Sequence, residues 1–239
     1  MILSVTWANH YSALKNWAGR TAYDEFSLIG IDGVFLHYIL KSEKNRSSAD
    51  LVLPSIFSSF SLRVILVGSN EQNQIEILKQ FNTQFPQVHI VKQMNGYDQL
   101  SSERLAEEIL RENPEIVVVG LGPVKQEEFV IELLTLLQGR FTKDLLLVTC
   151  GGWLDQIMID DYYPRFAYNF RLNWLVRLLR EPRRLWKRYT IYAFMAWKSR
   201  RELRDLFRSL SGYINVENAQ SEIELQLRNF LEKSHKMES

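Results

Sequence analysis

The sequence is poor in most of the features that assign a protein quickly. It has one cysteine, Cys150. That excludes an internal disulfide and fits a reducing compartment, and the residue reads as a small buried hydrophobe. The four histidines, at 10, 37, 89 and 235, are scattered, and no metal site is expected from them. The uncharged run LVLPSIFSSFSL (51–62) has 12 residues and contains Pro54. A spanning helix needs about 20 apolar residues, so none is expected. The opening MILSVTWANHYSALKNW has no basic start followed by an apolar run, and no signal peptide is expected. GLGPVKQ lacks the Gly-Lys-Ser/Thr ending of a nucleotide P-loop, and GSNEQN (68–73) lacks the two further glycines of the dinucleotide fingerprint.

What is present begins with charge. The chain is 46% apolar and 24% charged, as soluble globular proteins are, with a formal net charge of +1. That sum hides an asymmetry. Between Arg165 and Arg208 stand 13 Lys/Arg against three acids, a local net of +10, which leaves −9 on the rest. An acidic-leaning body with a basic segment points to a polyanionic partner: a membrane, a nucleic acid or a diphosphate. Tryptophan and leucine interleave the basic residues, which fits an anionic lipid surface and not nucleic acid.

Periodicity then gives the fold class. RVILVG (63–68), VHIVKQ (88–93), EIVVVG (115–120) and DLLLVTCGGW (144–153) read as strands. NQIEILKQFNTQF (73–85), SSERLAEEILREN (101–113) and KQEEFVIELLTLLQGR (125–140) read as helices, punctuated by Pro86, a serine cap, Pro114 and Gly139. The alternation predicts an α/β, doubly wound (Rossmann-like) parallel sheet over residues 1–164, followed by a helical, arginine-rich appendage over 165–210. In SRRELRDLFRSL (199–210), Arg200, Arg201, Arg204 and Arg208 share one arc, and Leu203, Leu206, Phe207 and Leu210 the next. Such a helix suits a membrane interface or docking on its own domain. A last amphipathic helix, about 217–233 within 211–239, is expected to pack or to pair subunits into a homo-oligomer.

In doubly wound sheets ligands sit outside the carboxyl ends of the strands. Gly68, Gly96 and Tyr97 of the NGY turn, Gly120, Gly122, Gly151 and Gly152 fall at such ends or nearby turns. A glycine-rich exit facing a helix N-terminus offers backbone N–H groups to a phosphate. Asp32 lies inside the apolar run SLIGIDGVFLHYIL (27–40), where a carboxylate must be paired or exposed at a cleft. It is either a turn aspartate of an Asp-Gly pair or a general base. LNWLVRLLREPRRLWKRY (172–189) combines arginines suited to phosphate with tryptophans suited to an interface.

Taken together, DG (32–33), VGLGPVKQEEF (119–129), TCGGWLDQ (149–156), YYP (162–164) and LNWLVRLLREPRRLWKRY resemble the TagA/WecG/CpsF family of bacterial glycosyltransferases. The order and spacing cover about residues 27–192. The TCGG and YYP elements are similar to the capsule and exopolysaccharide branch. The resemblance implies an inverting enzyme that moves a sugar from a UDP-sugar to a polyprenyl-diphosphate-linked saccharide. It implies a peripheral place on the cytoplasmic face of the cell membrane, and no cofactor besides the UDP-sugar as donor substrate. It assigns the base to Asp32 and a donor-side role to Gln126, with Glu127 orienting donor groups. It makes Arg177, Arg183, Arg184 and Arg188 candidates for the diphosphates and the membrane. Thr6 and Asn9 match the family's Thr…Asn element loosely, as binding residues. Arg46 in NRSSAD (45–50) stands for the family arginine, with Ala49 and shorter spacing where members carry Gly-x-Asp. That departure keeps open a second reading: a non-catalytic nucleotide-binding partner in polysaccharide assembly with the same fold.

Overall fold

The computed structural model describes residues 1–19, 23–41, 47–97, 100–159, 172–216 and 218–238. Six strands form the centre: β1 (Ile2–Ala8), β2 (Leu28–Ile31), β3 (Arg63–Gly68), β4 (His89–Met94), β5 (Ile116–Gly120) and β6 (Leu145–Thr149). All pair in parallel, in the order β2-β1-β6-β5-β3-β4. Up to the sheet's end the helices are α1 (His10–Gly19), α2 (Val34–Leu40), α3 (Ala49–Ser59), α4 (Glu71–Gln84), α5 (Ser102–Glu112), α6 (Lys125–Leu137) and α7 (Trp153–Gln156). Beyond it run α8 (Asn173–Arg180), α9 (Pro182–Lys187), a π-helical turn (Arg188–Tyr192), α10 (Ala193–Lys198), α11 (Arg200–Ser209) and α12 (Ala219–Glu238).

The unbroken Val/Ile/Leu runs follow from burial on both faces. Side chains alternate across the sheet, so Val64 and Leu66 enter one core while Ile65 and Val67 enter the other. The first core is closed by α3, α4, α7 and α12, the second by α1, α2, α5, α6 and α11. The doubly wound sheet expected from the alternation is therefore present, with a helical C-terminal region. Two strands at one side, β1 and β2, complete it without having stood out in the sequence. Their apolar runs are short, and the second has only four residues. The run LVLPSIFSSFSL enters α3, with Pro54 inside the helix. The strand expected over 144–153 stops at Thr149, and Cys150–Gly152 form a turn.

Residues 172–189 are not one helix, because Pro182 has no N–H to continue the ladder of α8 and instead opens α9. The apolar face of α11 is spent inside the protein: Leu203 and Phe207 are buried in the second core, and the Arg204 Nε donates to the Ile39 carbonyl at 2.6 Å. Of the two readings for that helix, docking on its own domain holds. The apolar face of α12 is likewise consumed, with Ile223, Leu227, Phe230 and Leu231 in the same core as α3. Its Arg228 Nη2 donates to the Ser55 Oγ of α3 at 2.8 Å. The exposed apolar side chains gather instead on α8 to α10, where Trp174, Leu179, Trp186, Phe194 and Trp197 face solvent. Among the described residues, no helix is long and apolar enough to cross a membrane.

Since α12 contributes to the main core, Leu227→Ala is expected to remove about 2–5 kcal/mol of unfolding free energy. Urea denaturation measures it, and a single transition moving to lower urea is the expected result. An unchanged midpoint would show that α12 is not part of the cooperative unit.

Candidate active site

All six strands deliver residues to one cleft of about 760 Å³ at their carboxyl ends. Asp32 follows β2, Asn9 follows β1, Thr149 to Trp153 follow β6, Gly120 to Gln126 follow β5, Ser69 follows β3, and Gly96 and Tyr97 follow β4. The strand β5 leads into α6 on one face while its neighbour β3 leads into α4 on the other. Divergent exits of this kind open a crevice between the strands. Gly68 lets the two exits lie together, because a Cβ there would stand 2.6 Å from the Gly120 carbonyl oxygen.

The turn into α6 is held from below. Gly122 has φ +82°, and Val124 has φ +75° and ψ −58°. A β-branched residue rarely adopts that conformation, so the turn is strained and needs support. Glu127 supplies it. Its Oε2 accepts from the Val124 N–H at 2.5 Å, and its Oε1 accepts from the Thr6 hydroxyl at 3.1 Å and from the Gln126 amide at 3.0 Å. The Gln126 Oε1 in turn accepts from the Gly151 N–H at 3.0 Å. Thr149 donates to Thr6 at 2.8 Å. Three chain segments are thus linked through the carboxyl group of Glu127, a residue that is 1% exposed. Burial raises the Glu127 pKa, and the hydrogen bonds from Gln126, Val124 and Thr6 oppose the shift.

This geometry revises the donor-side assignments. Thr6, Glu127 and Gly68 are not among the residues that line the cleft; they lie beneath it. Gln126 lines it, but both ends of its side-chain amide are engaged with Glu127 and Gly151. Asn9, Gly96, Tyr97, Gly120, Gly122, Gly151 and Gly152 all line it. Asn9 also caps α1, its Oδ1 accepting from Tyr11 N at 3.0 Å and Ser12 N at 3.1 Å. Cys150 stands at the cleft wall against Gly120, with burial pushing its thiol up to about 12. It therefore stays a neutral thiol at pH 7.

Asp32 is half-buried at the β2 end of the cleft, its backbone N–H donating to the Ala8 carbonyl at 2.8 Å. Asp50 joins it there from the first turn of α3 and accepts from the Ser48 hydroxyl. On the opposite wall, the Ser69 hydroxyl donates to Asp155 at 2.5 Å. Positive charge comes from Lys125, Arg177, Arg180 and Arg188. The Arg177 guanidinium lies over Gly152, 3.6 Å from where a Cβ would stand. Arg183 is exposed on α9 and does not line the cleft. Arg46, the YYP element and the Arg184 side chain lie outside the described residues.

Sequence reasoning did not select Asp50, Ser69, Asp155, Arg180 or His10 as site residues. Asp50 and Asp155 stood within quoted motifs, NRSSAD and TCGGWLDQ, so their signal was available. Ser69 and His10 carried none, since a lone serine or histidine after a strand is common.

The raised pKa of Glu127 has a sign that can be tested. The folded protein keeps this proton to higher pH than the unfolded chain does. The stabilisation is complete below the ordinary value of 4.5 and is lost as pH rises through the raised one. The melting temperature of the wild type minus that of Glu127→Gln is therefore expected to be greater at pH 4.5 than at pH 8. A difference independent of pH would show that Glu127 titrates as it does in the unfolded chain.

Comparison with known proteins follows the same path. A model of the glycosyl transferase WecG/TagA/CpsF family matches residues 3–207. The chain is 28% identical over 127 residues to N-acetylglucosaminyldiphosphoundecaprenol N-acetyl-beta-D-mannosaminyltransferase of Bacillus subtilis (strain 168). It is 29% identical over 127 residues to the protein of the same name from Bacillus spizizenii (strain ATCC 23059 / NRRL B-14472 / W23). Each match covers 53% of this chain and 47% of the relative, so the chain spans about half the length of the curated relatives it matches. With the family match running from β1 into α11, the chain belongs to the WecG/TagA/CpsF family of glycosyl transferases.

Proposed function

We propose that the protein is an inverting glycosyltransferase that moves a sugar from a UDP-sugar to a polyprenyl-diphosphate-linked saccharide in the synthesis of a bacterial cell-surface polysaccharide. One observation carries the reading: Asp32 lines the same cleft as the Gly122–Gln126 turn and the arginines of α8 and the π-helical turn. Strand spacing of about 4.8 Å puts roughly 14 Å between the exits of β2 and β5. Both exits border the same cleft of about 760 Å³. The two relatives are named for an acceptor of the polyprenyl-diphosphate class, N-acetylglucosaminyldiphosphoundecaprenol. The YYP element favours the capsule and exopolysaccharide branch; the relatives are named for transfer of N-acetylmannosamine.

The chemistry is one in-line displacement. An acceptor hydroxyl attacks the anomeric carbon, and its proton passes to the Asp32 carboxylate. The bond from that carbon to the β-phosphate oxygen breaks, and its electron pair leaves with UDP. Lys125, Arg177, Arg180 and Arg188 line the same cleft and would hold the developing charge. The exposed tryptophans of α8 to α10, with Arg183 and Lys187 among them, would rest on the anionic face of the cytoplasmic membrane, where the lipid-linked acceptor resides.

Two measurements test this reading. Asp32→Asn is expected to lower transfer from a UDP-sugar to a short-chain lipid-diphosphate acceptor by about 10²–10⁴-fold, with UDP affinity within about twofold. Full activity in that variant would remove Asp32 from the mechanism, and UDP binding without transfer in the wild type would favour the non-catalytic reading. Replacing both Arg183 and Lys187 by Ala is expected to weaken flotation with anionic vesicles by roughly tenfold or more. Unchanged flotation would place the lipid contact elsewhere.

A further inference from the structure

His10 is used by nothing in that mechanism, yet it sits between its two halves. It is the first residue of α1, directly after the cleft-lining Asn9, and it is 4% exposed. Its Nε2 is 2.9 Å from the Arg188 carbonyl oxygen. A carbonyl only accepts, so Nε2 carries the hydrogen. The ring is gripped by Phe35 of α2, edge-on at 5.2 Å, and by Tyr189 of the π-helical turn at 5.7 Å. Around it the same two segments make further contacts. The Arg188 guanidinium lies 4.6 Å from the Tyr11 ring centre, Tyr11 meets Tyr192 edge-on at 4.9 Å, and the Lys15 ammonium lies 5.0 Å from the Tyr192 ring. A π-helical turn is itself uncommon and recurs at functional sites.

We propose that His10 is a positioning residue: its Nε2–H, held on the Arg188 carbonyl, latches the basic C-terminal segment onto α1 so that Arg188 reaches the cleft that Asp32 also lines. The aromatic contacts supply area without direction. The hydrogen bond supplies direction, because it fixes one backbone group of the π-helical turn relative to the end of β1. Arg188 leaves the chain at that same residue, so its guanidinium is aimed by the latch. The role in transfer rests on the reaction proposed above; the latch itself does not, and it is read without any substrate.

The test compares His10→Phe, which keeps a ring and removes the donor, with His10→Gln, whose amide can restore it. Hydrogen exchange of residues 188–192 is expected to rise roughly three- to tenfold in the phenylalanine variant, the effect of one net hydrogen bond, and to return to within about twofold in the glutamine variant. Exchange in β5 and α6 serves as the check on folding. Should the phenylalanine variant fail to fold, His10→Asn, whose amide stops short of the position of Nε2, reads out the same loss. Unchanged exchange at 188–192, or an equal rise in the glutamine variant, overturns the latch. In a transfer assay kcat is expected to fall by a similar factor in the phenylalanine variant and to recover in the glutamine variant, with donor KM within about twofold, because Arg188 is assigned the charge that develops as UDP leaves. Unchanged kcat in the phenylalanine variant would overturn the positioning role. A wild-type protein without transfer activity would count against the reaction alone, since the exchange data still decide the latch.

Discussion

The cleft depends on one buried carboxyl group. Glu127 accepts from the hydroxyl of Thr6 in β1, from the strained Val124 N–H at the start of α6, and from the Gln126 amide. Through Gln126 it reaches the Gly151 N–H in the turn after β6. Three neighbouring strand exits are therefore tied at a point beneath the cleft floor. A carboxyl group in such a place costs desolvation, and hydrogen bonds from several segments are what offset that cost. The glycines at the floor carry no side chains there, so the backbone itself forms the surface that a ligand meets.

Above that floor, charges of both signs line the cleft. Asp32 and Asp50 stand at the β2 end, Asp155 on the opposite wall and Glu181 beside the C-terminal arginines. Cations approach from the C-terminal helices, where Arg177, Arg180 and Arg188 line it. The basic segment noted in the sequence thus supplies three of the cations that line the cleft, with Lys125 coming from α6. A base must stay ionised to take a proton, and cations must stay near the departing phosphate.

The helices after the sheet divide their surfaces by the same economy of burial. The apolar faces of α11 and α12 close the two cores, one on each side of the sheet. Trp174, Leu179, Trp186, Phe194 and Trp197 of α8 to α10 are left outside, beside arginines and lysines. An amphipathic pattern shows that a face will be covered but not by what. For α11 and α12 the cover is the protein's own sheet layer. For α8 to α10 the cover proposed above is an anionic lipid surface.

Much of this was legible from residue order alone. The strands β3, β5 and β6 and the helices α4, α5 and α6 follow from unbroken apolar runs, serine and proline punctuation and helical spacing, all of which act over a few residues. The family could be recognised from short motifs for the same reason, since a Gly-Pro turn before Gln-Glu or an Asp-Gly pair after a strand is local. Only the tertiary structure decided that Asp32, from the edge of the sheet, would share a cavity with Gln126. It alone placed Thr6 and Glu127 under the floor and Arg183 in solvent, and it alone brought His10 to the carbonyl of Arg188. Each of these joins residues far apart in the chain, and periodicity encodes which side of an element is apolar without naming the element that will cover it.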